Sequence, residues 1–184
     1  MSRITTPATI ETSPASSRPF LETAKKMLGS VPNLFRMVGN SPAALEGYLG
    51  LNSALAKGKL DAKTRERIAL AVAEVNGCNY CLAAHTYLGK SLAKMDDVEI
   101  AANRHGTSGD VKANVAVRFA VKIANTRGHI ADADLKLVTA AGYGDDEVIE
   151  IVSHVALNTL TNYINNVAAT DVDFPTVEVL KNVA

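Results

Sequence analysis

An all-α fold is predicted by three observations. Strand signals are scarce, because no stretch alternates apolar and polar residues for long and Asn-Gly occurs only once. Helix punctuation is frequent along the whole chain. And the run Ile68-Ala69-Leu70-Ala71-Val72-Ala73 is apolar on every side of a helical wheel, which is how a helix at the centre of a bundle reads.

The elements follow in order. A first helix runs over 18–28, after Ser16-Ser17, with Pro19 in its first turn and Gly29 as its stop. Val31-Pro32-Asn33 turns into a short amphipathic piece at 34–38. Ser41-Pro42 is an N-cap followed by proline at the first helical position, and Gly58 suits the C-terminal end of that helix. Asp61 can cap the next helix, the apolar one, which reaches about Asn76. Further helices are expected at about 78–93, 96–105, 108–126, 132–141 and 145–169, and an extended tail after Thr170. Gly58-Lys59-Leu60-Asp61-Ala62 and Gly128-His129-Ile130-Ala131-Asp132 form a faint internal echo, too short to carry weight.

With 184 residues the chain suits one domain, here expected over 18–184 behind a flexible N-terminal segment at 1–17. Lys plus Arg number 19 and so do Asp plus Glu, leaving no net field to attract a polyanion. No basic tract or aromatic platform appears either, which argues against nucleic acid as a partner. No apolar run has the length of a membrane span, and 1–17 lacks the apolar centre of a secretory signal. The expected compartment is the cytoplasm, where a close cysteine pair is more often catalytic or metal-binding than structural.

Cys78 and Cys81 are the only cysteines, three residues apart, and His85 stands four further on. If the run from Cys78 is helical, the three side chains fall within about 60° of one another on one stripe. A free thiol with pKa about 8.5 is only about 3% ionised at neutral pH, and a helix N-terminus lowers that pKa. Asn76-Gly77 supplies the turn that would put Cys78 in the first turn. His85 can take a proton from Cys81 directly or through one water. Cys81 would then attack a peroxide oxygen or a disulfide sulfur, and Cys78 would resolve the product into an internal disulfide. Spacing alone allows the two roles to be exchanged.

Other readings stand beside this one. The cysteines can be buried and inert, or can belong to a structural zinc site that borrows a ligand from a partner chain. The same pair can also serve a non-catalytic redox-sensing or interaction module. A thioredoxin-type fold needs a βαβ pattern that the sequence lacks.

Asp61-Ala62-Lys63-Thr64-Arg65-Glu66-Arg67, the apolar helix, Cys78-Asn79-Tyr80-Cys81 and His85 resemble the alkylhydroperoxidase D-like proteins of the carboxymuconolactone decarboxylase superfamily. Val31-Pro32-Asn33-Leu34-Phe35 and Asn162-Tyr163-Ile164-Asn165 with Asp173-Phe174-Pro175 are similar to its peroxidase-related branch. The likeness is strongest over 41–105 and looser from Pro19 to Pro175. It implies an all-helical fold assembled into trimers, hexamers or other rings, and a dithiol that reduces hydroperoxides or passes electrons between disulfides. It also implies Cys81 as the attacking thiol, Cys78 as its resolving partner, and His85 and Glu66 as a proton relay. One departure matters: the family pattern has histidine immediately before the second cysteine, and here that place holds Tyr80. A phenol with pKa near 10 is a poor base at neutral pH, so the relay is shortened or rearranged. No metal, haem or flavin is implied, so electrons must come from an external dithiol such as a lipoyl group or a thioredoxin-like protein.

Among the remaining polar residues, Glu74 shares the apolar helix with Glu66, and either could pair with a nearby arginine such as Arg67. His154, Asn158 and Asn162 recur every four residues on a late helix, with Thr161 and Asn165 alongside. That seam can line a cavity, cross a subunit interface or form a satisfied core network. His105 and His129 sit at helix ends beside glycines and receive no role, and Lys57-Gly58-Lys59 reads as a solvated turn.

Overall fold

The computed structural model describes residues 2–180. Among them the regular structure is entirely helical: α1 (Arg18–Leu28), α2 (Asn33–Val38), α3 (Pro42–Leu55), α4 (Ala62–Val75), α5 (Asn79–Ser91), α6 (Asp97–Arg104), α7 (Val111–Thr126), α8 (Asp132–Ala140) and α9 (Asp145–Ala168). A single 3₁₀ turn, Ala15–Ser17, leads into α1.

Helix α4 is the axle of the bundle and packs against α5, α6, α7 and α9. Every residue from Arg67 to Glu74 is buried, so the uniformly apolar run does lie at the centre. Successive α4 residues feed different clusters. Ile68 and Val72 join Phe119, Ala120, Val138, Ile151 and Val155 between α4, α7, α8 and α9. Leu70 meets Met95 and Ile100 under α6. Ala73 packs with Leu21, Leu45, Tyr80 and both cysteines on the α1–α3 side. Each such leucine or isoleucine contributes about 1.5–3 kcal/mol by leaving water.

Helix starts follow their capping chemistry. Ser41, Asp61, Asp96 and Asp110 each accept a backbone N–H three residues on, from Ala44, Thr64, Glu99 and Ala113. Asp110 therefore starts α7, two residues later than Ser108, whose hydroxyl donates to Glu99 and accepts the Asp110 N–H instead of capping the helix. Helix α3 ends at Leu55, short of Gly58. Gly58 instead lies against Glu150 of α9, whose carboxylate accepts the N–H groups of Lys59 and Leu60 at 2.9 and 3.0 Å. A Cβ at position 58 would meet that carboxylate within 2.7 Å. Ser17 does not cap α1; its hydroxyl donates to the Gly39 carbonyl at 2.6 Å.

The segment before α1 runs along the bundle, with the Arg3 N–H on the Ala168 carbonyl and the Thr5 carbonyl on the Asn40 amide. The tail after α9 carries no helix or strand through residue 180 and crosses the start of α5. There Asp173 accepts the Asn33 N–H at 2.7 Å, and Val179 donates to the Asn79 side chain at 3.1 Å.

Candidate active site

Helices α4 and α5 are joined by Asn76-Gly77-Cys78. Gly77 has φ +62°, a left-handed conformation that a side chain would strain, and it turns the chain sharply. The turn is gripped from α9: Asn76 donates to Asn162 Oδ1 at 2.9 Å, and Asn166 donates to the Asn76 carbonyl at 2.8 Å. Cys78 is therefore the N-cap of α5, with extended backbone, and not a residue of its first turn as expected from the sequence. The correction has a chemical consequence. As N-cap, Cys78 uses its own sulfur to accept the Cys81 N–H at 3.2 Å, where the helix N-terminus stabilises negative charge on sulfur.

Cys78 and Cys81 form a disulfide, with Cα atoms 5.3 Å apart. Their surroundings differ. Cys81 lines a cavity of about 110 Å³, and Cys78, fully buried, does not. Helices α4 and α5 bring Glu66 and His85 to the same cavity, where His85 Nδ1 lies 2.8 Å from Glu66 Oε2. Sequence reasoning thus finds four residues that the fold does bring together: one sulfur, its partner, and a histidine–carboxylate pair. The alternative pairing of Glu66 with Arg67 does not form, and Glu66 partners His85 instead. Arg67 turns the other way, to Glu99 at 2.6 Å.

Tyr80 is not a free base beside the sulfur. Its hydroxyl accepts the Leu34 N–H at 3.1 Å and donates to Asp173 at 2.8 Å. Burial pushes its ionisation far above the usual phenol range, and the Asp173 carboxylate adds to this against the opposing Leu34 N–H. Phe174 packs edge-on against the same ring at 5.8 Å, so Tyr80 ties the tail to the cavity wall.

The polar seam of α9 divides into separate duties. His154, Asn158 and Thr161 line the cavity. Burial holds His154 down at about 4, with the Arg65 charge acting the same way and Glu150 and Glu66 opposing it, so the ring is neutral at working pH. Its Nε2 has no hydrogen-bond partner. Asn162 grips the α4–α5 turn, and Asn165 reaches the Cys81 sulfur. Sequence reasoning missed Tyr48 and Arg65, which also line the cavity. Burial, and then the Glu66 charge, push the Tyr48 phenol up to about 12. Tyr48 sits on α3, and no local pattern marks it as facing α4.

Among the described residues no three or more His, Cys, Asp or Glu side chains converge as a metal centre would require. No helix among them is long and apolar enough to cross a membrane.

Comparison with known proteins now bears on this geometry. Residues 42–122 match the carboxymuconolactone decarboxylase family, a span that covers α3 to most of α7 and includes all four candidate residues. An uncharacterized protein of Haemophilus influenzae is 53% identical over 45 residues, which is 24% of this chain and 40% of that protein's length. The fold is similar to the alkylhydroperoxidase AhpD core of an uncharacterized peroxidase-related protein from Ralstonia eutropha JMP134, with TM-score 0.83 and 21% identity, covering 94% of this chain and 92% of that one. A peroxidase-related protein from Silicibacter sp. TM1040 gives TM-score 0.76 and 23% identity, over 86% and 85% of the two chains. A cysteine-to-alanine variant of the debrominase Bmp8, in complex with 2,3,4-tribromopyrrole, gives TM-score 0.79 and 19% identity over 94% of each chain.

Proposed function

We propose that this chain, which carries a carboxymuconolactone decarboxylase family domain on an AhpD-like fold, is a dithiol peroxidase. The observation that carries the reading is the sharing of one cavity by the Cys81 sulfur and the Glu66–His85 pair.

The cycle balances with these groups and one external dithiol. His85, oriented by Glu66, takes the Cys81 proton. The thiolate attacks the distal oxygen of a hydroperoxide, the O–O bond breaks, and the alkoxide leaves with that proton as an alcohol. Cys81 is now a sulfenic acid. The Cys78 thiol displaces its hydroxyl as water and closes the disulfide. An external dithiol, of lipoyl or thioredoxin-like type, attacks that disulfide and departs as its own disulfide. Cys81 is assigned the attacking role because it faces the cavity, and Cys78 the resolving role because it does not.

The chain is proposed to act in the cytoplasm as a trimer or larger ring. A stripe of exposed apolar residues on α9 supports assembly: Ile149, Val152, Ala156, Leu160, Tyr163 and Val167 repeat at helical spacing on the outer face. Light scattering on the purified protein tests the assembly.

The reaction is tested by following organic hydroperoxide consumption with excess dihydrolipoamide, in the parent chain, Cys81→Ser and Cys78→Ser. Multiple turnovers abolished by both substitutions are expected. A disulfide that cycles once without turnover would overturn the enzyme reading in favour of redox sensing. The likeness to a debrominase supplies a second electrophile for the same assay, a brominated pyrrole, whose faster consumption would replace hydroperoxide as the substrate class.

A further inference from the structure

Asn165 on α9 is 3% exposed and directs its side-chain Nδ2 at the Cys81 sulfur, 3.2 Å away, in a buried contact. The other half of the same amide, Oδ1, is buried with no hydrogen-bond partner. An asparagine with an unpaired buried oxygen is a poor choice for packing, since leucine has a similar shape and leaves nothing unsatisfied. What leucine cannot supply is an N–H on the sulfur.

The two sulfurs are matched in this respect. Cys78 is served by the Cys81 backbone N–H, which belongs to the main chain and not to a neighbouring side chain. Cys81, one turn into the helix and facing the cavity, is served by Asn165.

We propose that Asn165 is a positioning residue for Cys81: its N–H stabilises the thiolate and holds the sulfur in line with the cavity. The inference rests on the dithiol reading above. It acts when Cys81 ionises before attacking the peroxide oxygen.

The test uses the full chain carrying Cys78→Ser, so that Cys81 is the only thiol. Its rate of alkylation by iodoacetamide is followed across pH with Asn165 present and with Asn165→Leu. The expected result is a midpoint raised by about one pH unit and a roughly tenfold slower reaction at neutral pH. Thermal stability should hold or rise, because the unpaired oxygen goes too. Asn165→Ala, treated the same way, serves if the leucine chain does not fold. Superimposed pH profiles would overturn the proposal, as would lower stability with unchanged alkylation, which is the mark of a purely structural amide. The readout needs no peroxide. A shifted profile in a protein that consumes no hydroperoxide would sustain the Asn165 assignment while sinking the peroxidase reading.

Discussion

Glu66 and Glu74 stand eight residues apart on one helix, and the fold puts them to opposite uses. Glu74 lies in the last turn of α4, where the helix dipole disfavours a negative charge. Its side chain is fully buried, and it is compensated by Arg104 Nε at 2.7 Å and the Leu180 N–H at 2.5 Å. Arg104 in turn donates to the Glu178 carbonyl, so the pair fastens the tail to the bundle. Glu66 faces the cavity, about a fifth exposed, and its partner is His85. The difference lies in the partner. A guanidinium keeps its charge at every working pH and can only hold, whereas an imidazole can give and take a proton beside a sulfur.

The largest expected effect sharpens the structural half of that contrast. Glu74→Ala leaves Arg104 without its counter-charge and is expected to cost about 3–5 kcal/mol of stability in denaturant unfolding. The chains that remain folded should keep the Cys81 reaction. A thiol rate that fell more than the folded fraction would mean that the Glu74 end also serves the site.

Acid gives the next largest effect. His154 is neutral in the folded protein, lowered to about 4 by burial and by Arg65, against an ordinary value of 6.5. The unfolded chain therefore binds the extra proton first, and stability falls as pH drops from about 6.5 towards 4. The contribution is at most about 3 kcal/mol, and His154→Gln should flatten the unfolding profile across that window. Glu99 falls in a lower window. Burial raises its carboxyl, but Ser108, Asn103, the Gly109 N–H and Arg67 outweigh burial and hold it at about 2. Its contribution is complete above about 4.5 and is lost as pH falls towards 2. A profile unchanged by His154→Gln would remove this histidine as the acid-sensitive element of the cavity.

Glu66→Gln breaks the catalytic half. The amide keeps the shape but no longer charges or orients the imidazole as a carboxylate does. Hydroperoxide turnover should fall by about a hundredfold, equivalent to about 2.7 kcal/mol. Stability should stay within about 1 kcal/mol, since the pair is partly exposed. Equal turnover in the two chains would leave His85 acting without its carboxylate.

How far the sequence anticipates this contrast depends on the range of each interaction. The burial of α4 is legible because an all-apolar helix has no solvent face to offer. The caps at Ser41 and Asp61 are legible because a side chain meets a backbone N–H three residues away. Cys78, Cys81, His85 and Glu66 are found from spacing together with a family resemblance. What stayed hidden are pairings across the bundle. Glu74 and Glu66 look alike on α4, because Arg104 and His85 arrive on other helices. The α9 seam is visible as a repeat, but only the packing of α9 against α5 shows that Asn162 holds a turn while Asn165 meets a sulfur. Cys78 was misplaced by one position, since whether a residue caps a helix or begins it is settled by the turn before it.

The smallest expected effect concerns Tyr80, which occupies the place where the family pattern has a histidine. Both sides of its hydroxyl are used, one by the Leu34 N–H and one by Asp173. Its ionisation is pushed above the usual phenol range, so it carries no proton traffic at neutral pH. Tyr80→Phe keeps the ring against Phe174 and deletes only the hydroxyl. Asp173 retains the Asn33 N–H, so the main loss is the Leu34 N–H left unpaired, worth about 1 kcal/mol in unfolding. Thiol reactivity should change by less than about threefold, or ~0.6 kcal/mol, because the Glu66–His85 pair and the Asn165 donor are untouched. A tenfold loss of rate at full stability would place the phenol inside the relay. Tyr80 would then move from the holding side of the contrast, with Glu74, to the reacting side, with Glu66.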